Sequence, residues 1–366
     1  MGAAISLRGH VRVLYLYDVA EAIGLDVLRS MAESKGVELR STLVHPVPHH
    51  LRFERPPSIE PAGHMTLETG ESVEVTTKYY DYGVVSIELE LPFEYDWDTL
   101  VLQSSRWINA AELETRANDI LAVALKRVSR ALVRPYKTWL REDYFIVHLP
   151  EIVEPEGKIL AAGDLLSARA REIAQLVRGD SIPLSDAERQ EVLQSNISYS
   201  RTDLLVVGWT GALVYGHTEV AEMTIQMLEY ANTQLLEFRH YDGLLTQLLD
   251  GVYRSLERKG GIVDAWHQSR EAARLNTIRL DVMELTEKVD NAIKFLSDMF
   301  YARLYNLVAA KVGVPDYRRL VDQKLRTAGE LYRFMVDQFN QTRSFVLELA
   351  VVIILIIEFF FLFRGK

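Results

Sequence analysis

The chain has 366 residues, 48% of them hydrophobic and 25% charged, which at about 100 to 200 residues per domain suggests two or three globular units. Its 51 acidic residues outnumber its 41 basic ones, so the net charge of −10 repels polyanions and no nucleic-acid partner is expected. Cysteine is absent, which excludes disulfides, thiolate metal sites and a cysteine nucleophile.

Residues 1–216 mix strand and helix patterns at irregular spacing, which predicts an α+β head domain with an antiparallel sheet. Asp81-Tyr82-Gly83 is placed to form the turn of a hairpin. The predicted strands are Val11–Tyr17, Val37–Val44, Val73–Tyr80, Val84–Leu91, Tyr144–Leu149 and Leu204–Val207. The predicted helices are Leu25–Ser34, Ala110–Val133, Leu165–Val177 and Asp186–Gln194, the last with Ser185 as its N-cap.

A proline-rich segment from His45 to Gly63 is predicted to be a loop. Histidine clusters can bind zinc or copper, but the ligands need a rigid frame that prolines do not provide. We therefore expect no metal site, and keep one as an alternative. Its ligands would be His45, His49, His50 and His64.

The stretch from Gly211 to Thr218 comes within one residue of a phosphate-binding loop that follows a strand and opens a helix. However, His217 replaces the lysine that contacts the β- and γ-phosphates, and the residues between Gly211 and Gly216 are apolar. A turn followed by a helix capped at Thr218 explains the pattern, so no cofactor is expected. A nucleotide held by Gly211, Gly216 and Thr218 is the alternative.

Three segments with apolar residues three and four apart predict a three-helix, coiled-coil-like antiparallel stalk over residues 217–344. The breaks between its helices are predicted at Arg258–Gly261 and Val312–Asp316. Asp242 lies on the apolar face of the first of these helices, where a polar residue can fix the register between helices. The alternative is an exposed Asp242 paired with Arg239.

The apolar segment Phe345–Phe363 is 19 residues long, or about 28 Å as a helix, which predicts a C-terminal transmembrane helix followed by the short tail 364–366. Without an export signal, the N-terminal bulk is expected on the cytoplasmic (or matrix) side of a bacterial inner membrane or organelle membrane. The residues expected to position this helix or to pair between protomers are Arg343, Glu348, Glu358, Arg364 and Lys366.

Residues 80–366 resemble the "required for meiotic nuclear division" family of membrane-anchored proteins. The resemblance rests on Leu347-Glu348-Leu349 with Glu358 ten residues later, on Tyr82-Gly83-Val84-Val85, and on Asp203-Leu204-Leu205 with Trp209. The family's membrane-segment tryptophan is Leu349 here, and its Asp-Thr-Pro-Asp-Phe stretch is missing. The resemblance implies a single-pass scaffold that oligomerises, and its mitochondrial members support translation at the inner membrane.

These features predict a tail-anchored scaffold or adaptor that self-associates, with the lipid bilayer and an unknown protein as further partners. No serine triad, paired catalytic carboxylates or dinucleotide fingerprint is recognisable, so catalysis is not expected. The alternative is a membrane-bound nucleotide sensor or enzyme that uses the 211–218 loop.

Overall fold

The computed structural model describes residues 6–35, 39, 56–153, 158–257, 277–284, 287 and 299–364. The chain divides into two compact units, which do not follow the sequence in one cut. The first comprises Met1–His240 and Leu285–Tyr317, and the second comprises Tyr241–Glu284 and Arg318–Lys366.

The first unit is built on a sheet whose order is β2-β3-β4-β1-β5-β8-β7-β6. Neighbouring strands are antiparallel except for β5 and β8, which run parallel. The strands are Leu7–Ile23 (β1), Ser58–Thr66 (β2), Ser72–Tyr79 (β3), Val84–Tyr95 (β4), Leu132–Leu149 (β5), Asn196–Ile197 (β6), Leu204–Val207 (β7) and Gly211–Tyr215 (β8).

The helices of the first unit lie mostly between strands in the sequence, and the longest helices follow the sheet. The helices of the chain are Leu25–Lys35 (α1), Trp97–Ile108 (α2), Ala111–Val128 (α3), Ala162–Ala168 (α4), Ala170–Arg178 (α5), Asp186–Gln194 (α6), Thr218–Glu257 (α7), Met299–Val312 (α8) and Val314–Arg364 (α9), and most of α9 belongs to the second unit. α7 contributes residues up to His240 to the first unit and the rest to the second.

β1 is an interior strand of the sheet, paired with β4 on one side and with β5 on the other. Its two faces belong to different layers of the first unit. Side chains alternate along a strand, so its odd-numbered residues face one layer and its even-numbered residues the other. Val11, Val13 and Tyr15 lie in the apolar core shared with α2 to α6. Arg12 and Asp18, which are 7% and 1% exposed, lie on the opposite face, toward α7.

Local signals predicted many elements correctly. The hairpin is confirmed, since β3 and β4 pair antiparallel about Asp81 to Gly83. Ser185 caps α6 by accepting a hydrogen bond from the Glu188 N–H at 3.2 Å. The break near Val312 is confirmed: Gly313 separates α8 from α9 with φ of +93°.

Other elements differ from the predictions. The predicted helix Ala110–Val133 ends at Val128, and its last residues belong to β5. Ser58 to Gly63 lie in β2, an edge strand that accommodates Pro61 with a register shift, so the loop prediction is wrong there. α2 and β8 were not predicted, and the predicted strand Val37–Val44 lies outside the described residues, apart from Leu39.

The predicted fold class is wrong in two respects within the first unit. The sheet is mixed rather than antiparallel, because β8 returns parallel to β5 after the intervening helices. The helices do not form a separate stalk either, because α7 up to His240 and all of α8 group with the sheet. Of the described residues, only α7 from Tyr241, the helical residues 277–284 and α9 from Arg318 belong to the second unit.

The prediction of a C-terminal transmembrane helix is contradicted. Across the part of the chain that the structure describes, no helix combines the length and apolar content needed to cross a membrane. The membrane location and tail-anchored topology derived from that helix are corrected on the same finding.

Candidate functional site

A row of polar side chains on α7 faces the sheet. Positions three and four apart lie on one face of a helix, and 222, 225, 229, 233, 236 and 240 follow this spacing. Most of these residues contact the even-numbered face of β1 and its neighbours, and together they form what we call the polar seam. The polar seam consists of Arg12, Asp18, Lys78, Tyr82, Glu88, Glu90, Glu222, Glu229, Thr233 and His240.

Lys78 is the buried centre of the polar seam. Its Nζ lies 2.6 Å from Glu88 Oε2 on β4 and 2.5 Å from Glu229 Oε2 on α7. Burial alone would lower the pKa of Lys78, but the charges of Glu229 and Glu88 outweigh it and keep that pKa above its usual value. Burial likewise opposes ionisation of Glu88, but the nearby Lys78 and Arg12 hold its pKa below the usual range. Lys78 and Glu88 are therefore both charged at neutral pH.

Arg12 joins three carboxylates beside this centre. Its guanidinium lies 3.2 Å from Glu88 Oε1 and 2.9 Å from Glu90 Oε2, and it donates two hydrogen bonds to Glu222 of α7. Burial lowers the pKa of Arg12 but the three carboxylates raise it further, so the arginine is a permanent cation here. Its bonds fix the first turns of α7 over β1 and β4.

Two histidines lie at the Arg12 end of the polar seam, near the N-terminus of α7. His10 Nε2 lies 3.6 Å from Glu90 Oε1, and the His10 ring stacks against His148 with centroids 6.4 Å apart. His148 is 1% exposed and contacts the Gly216 carbonyl at 3.3 Å through Nε2. Burial lowers the pKa of His148 to about 4 and also lowers the pKa of His10, so both rings are neutral at pH 7.

The other end of the polar seam is a buried acid paired with a histidine. Asp18 Oδ2 lies 2.5 Å from His240 Nδ1, and the Tyr136 ring stacks on His240 with centroids 4.8 Å apart. Burial raises the pKa of Asp18, and the hydrogen bond from His240 opposes that rise. The pairing of β1 with β5 shifts register immediately after Asp18. Between the two ends, the Tyr82 hydroxyl and Thr233 Oγ1 are 2.7 Å apart.

The polar seam specifies the position of α7 more than it adds stability. Buried ion pairs often contribute little net free energy because their desolvation cost offsets their attraction, whereas a shifted pairing leaves charges buried alone. Displacing α7 by one turn would remove Glu222 from Arg12 and Glu229 from Lys78 together. The apolar partners around the seam, such as Leu16 and Leu236, are also buried. We infer that this face accepts α7 in one register.

The residues considered as an alternative phosphate-binding loop form a strand, a turn and the start of a helix. Gly211 to Tyr215 form β8, whose backbone pairs with β5 and β7. Gly211 has no room for a side chain, since an added Cβ would lie 2.9 Å from the Phe145 carbonyl oxygen. Gly216 has φ of +139°, and Thr218 begins α7. Gly211 thus allows β8 to approach β5 closely, and Gly216 forms the turn that follows β8.

The other predicted site residues are not brought together with the polar seam. His64 is exposed on β2, and His45, His49 and His50 lie outside the described residues. Among the residues that the structure describes, no group of three or more metal-binding side chains is found. Glu348 and Glu358 are exposed on α9, to whose backbone Arg343 and Arg364 also belong, and Lys366 is not described.

Asp242 lies within the second unit, where its Oδ1 is 2.6 Å from Lys324 Nζ of α9. Lys324 also donates to Thr246 Oγ1 at 2.6 Å. Arg239, the alternative partner considered from the sequence, pairs with Glu142 of β5 instead. Asp242 therefore connects α7 with α9, and a role in fixing their register stays a prediction.

The polar seam was missed because its strand residues alternate with apolar ones. Val11-Arg12-Val13 and Ile87-Glu88-Leu89 have the pattern of strands with one solvated face. The available signal was on α7, where Glu222, Glu229, Thr233 and His240 recur at helical spacing. Reading both patterns together would have predicted a charged face covered by a helix.

The fold and the polar seam define the chain as a mixed-sheet protein in which a long helix is bound across one face by buried ion pairs. The chain belongs to the family described as uncharacterized protein MJ0711, N-terminal domain, whose model matches residues 8–222. A curated relative, the uncharacterized protein MJ0711 of Methanocaldococcus jannaschii, is 20% identical over 217 residues. The match covers 59% of this chain and 64% of the relative. No solved structure matches.

These comparisons correct the resemblance drawn from the sequence. The family match is to a different family from the meiotic nuclear division proteins, and it rests on the N-terminal region rather than on the C-terminal half. The matched region ends at Glu222, so it includes the sheet and the first turn of α7 that binds Arg12.

Proposed function

We propose that the chain is a non-catalytic binding protein that associates with a second copy of the same chain through its second unit. The proposal treats the first unit as a support that holds α7 in place. It is proposed as non-catalytic because the buried acids and cations of the polar seam are bonded to one another beneath α7.

The described helices of the second unit each bury apolar side chains. Buried residues recur on α7, on 277–284 and on α9. They are Leu245, Leu248, Val252, Ile278, Val282, Val321 and Ala328. Within the same unit, Asp242 of α7 pairs with Lys324 of α9.

The observation that carries the proposal is the apolar surface left on the same helices. Leu280 and Met283 are 58% and 57% exposed, and Phe334 of α9 is 52% exposed. Farther along α9, all residues from Val351 to Ile357 and also Phe359 are about half exposed or more. Single exposed apolar residues are common, but a contiguous apolar surface of this kind marks an interaction site. Burying one such large side chain contributes about 1.5–3 kcal/mol, so several together favour association strongly.

A second copy is the proposed occupant because a two-fold dimer places the same apolar helix surface against itself. We expect the full chain to form a dimer or larger assembly by light scattering coupled to size-exclusion chromatography. Ile356→Glu, which places a charge in the exposed apolar run, should shift the mass toward the monomer. The matched control is Val123→Glu on α3, a similarly exposed apolar residue of the first unit (62% against 55%) that should leave the mass unchanged.

Three outcomes would contradict this proposal. One is a monomer at every concentration, and another is an assembly that Ile356→Glu does not weaken. The third is flotation of a monomeric chain with phosphatidylcholine vesicles, which would assign the apolar surface to a different partner.

A further inference from the structure

Negative charge is in excess at the Arg12 end of the polar seam. Four carboxylates, Glu88, Glu90, Glu222 and Glu229, share two cations, Arg12 and Lys78. Glu88 contacts both cations, while Glu222 and Glu229 each have one close partner. The cation that Glu90 contacts is Arg12, which also pairs with Glu88 and Glu222.

Glu90 is surrounded by charged or titratable groups on every element packed against it. These groups are His10 and Arg12 on β1, Glu74 across the β3 pairing, Glu88 on β4, Glu222 on α7 and, through His10, His148 on β5. Among them Arg12 is the cation in direct contact, because both histidines are neutral at pH 7. The acids outnumber it.

We propose that the polar seam binds one proton at Glu90 near neutral pH, and that loss of this proton loosens the first turns of α7 from the sheet. With Glu90 neutral, Arg12 serves two carboxylates and holds Glu222 firmly. With Glu90 ionised, the Arg12 guanidinium pairs with three negatively charged carboxylates, which repel one another. This repulsion displaces Glu222, because Glu222 lies on the helix and can move away from the sheet.

The titration range supports this site. Burial raises the pKa of Glu90, Arg12 opposes that rise, and the neighbouring acids add to it, which gives about 7 against an ordinary 4.5. A folded-state pKa above the unfolded one means that folding takes up a proton, so stability is lost as pH rises from about 4.5 through 7. His148, lowered from 6.5 to about 4, acts oppositely, and stability falls as pH drops through that window. The two effects offset each other below about pH 6.5, so variants are needed to separate them.

The first test compares the full chain with Glu90→Gln, which imitates the protonated acid. The wild type should show the infrared carbonyl band of a protonated carboxylic acid at pH 6, and should lose it at pH 8.5. The part of this band that the wild type loses between pH 6 and pH 8.5 should be absent from Glu90→Gln. Glu94→Gln, an exposed acid on the same strand, is the control and should leave the band in place.

The second test measures the consequence for α7. At pH 8.5 the amides of Thr218 to Leu228 should exchange hydrogen faster in the wild type than in Glu90→Gln, and at pH 5 the two should be equal. The folding constant of Glu90→Gln should exceed that of the wild type at pH 8.5 by up to about 300-fold, the factor for a pKa raised from 4.5 to about 7. Absence of the acid band at pH 6, or equal exchange at pH 8.5, would overturn the proposal. The infrared and hydrogen-exchange comparisons concern the first unit and do not require the dimer, and the folding constants are compared at one protein concentration.

Discussion

Replacement of Lys78 by methionine should lower the free energy of unfolding by about 3–5 kcal/mol, the usual cost of removing one partner from a buried ion pair. Lys78 is 5% exposed, and its loss leaves Glu229, 1% exposed, without its cation. Urea denaturation followed by tryptophan fluorescence measures this change, because Trp97 and Trp107 are buried in the first unit.

The control for this replacement is Arg8→Met. Arg8 pairs with Glu94 at 2.9 Å, but the two side chains are 77% and 54% exposed, and surface substitutions of this kind usually change stability by less than about 0.5 kcal/mol. Equal losses for Lys78→Met and Arg8→Met would mean that Lys78 is not buried between β4 and α7.

Gly83→Ala should have a comparably large effect for a backbone reason. Gly83 has φ of +98°, and an added Cβ would lie 1.8 Å from the Ala20 carbonyl oxygen, a backbone atom that cannot swing aside. The left-handed conformation costs a non-glycine residue about 1–2 kcal/mol and overpacking adds about 1–3, so we expect a loss of about 2–5 kcal/mol. The same denaturation experiment measures it.

Gly70→Ala separates the two contributions. Gly70 has a similar φ of +91°, but an added Cβ there meets no atom within 4 Å, so only the conformational cost of about 1–2 kcal/mol applies. A Gly83→Ala loss no larger than that of Gly70→Ala would contradict the close approach of the hairpin turn to β1.

Features set by neighbouring residues were predictable from the sequence. The turn at Gly83, the cap at Ser185 and the break at Gly313 each follow from local backbone chemistry. Apolar residues three and four apart also predicted a buried helix face in the first of the three stalk segments, and its residues Leu228, Ala231, Leu235 and Phe238 are buried. Their partners could not be predicted, because apolar spacing identifies a face without showing what covers it. They lie in the first unit with the sheet rather than in a free-standing coiled coil.

The polar seam depends on contacts between distant parts of the chain. Lys78 and Glu229 are 151 positions apart, and Arg12 and Glu222 are 210 apart. A charged residue on a strand is ordinarily solvent-facing, and no local pattern distinguishes Glu88 from an exposed acid such as Glu94. The parallel β8 was missed for a related reason: its glycine-bounded sequence fits a loop as well as a strand when β5 is not considered.

The central claim is that α7 is bound to the sheet through buried ion pairs, and a double-mutant cycle on Lys78 and Glu229 tests it most directly. Lys78→Met, Glu229→Gln and their combination, measured by urea denaturation, should give a coupling free energy of about 2–3 kcal/mol, at the upper end for contacting residues. The cycle of Arg8→Met with Glu94→Gln, an exposed pair of similar distance (2.9 against 2.5 Å), should give about 0.2–1 kcal/mol. Additive effects of Lys78→Met and Glu229→Gln would contradict the claim, because they would show that the strand and the helix do not share this ion pair.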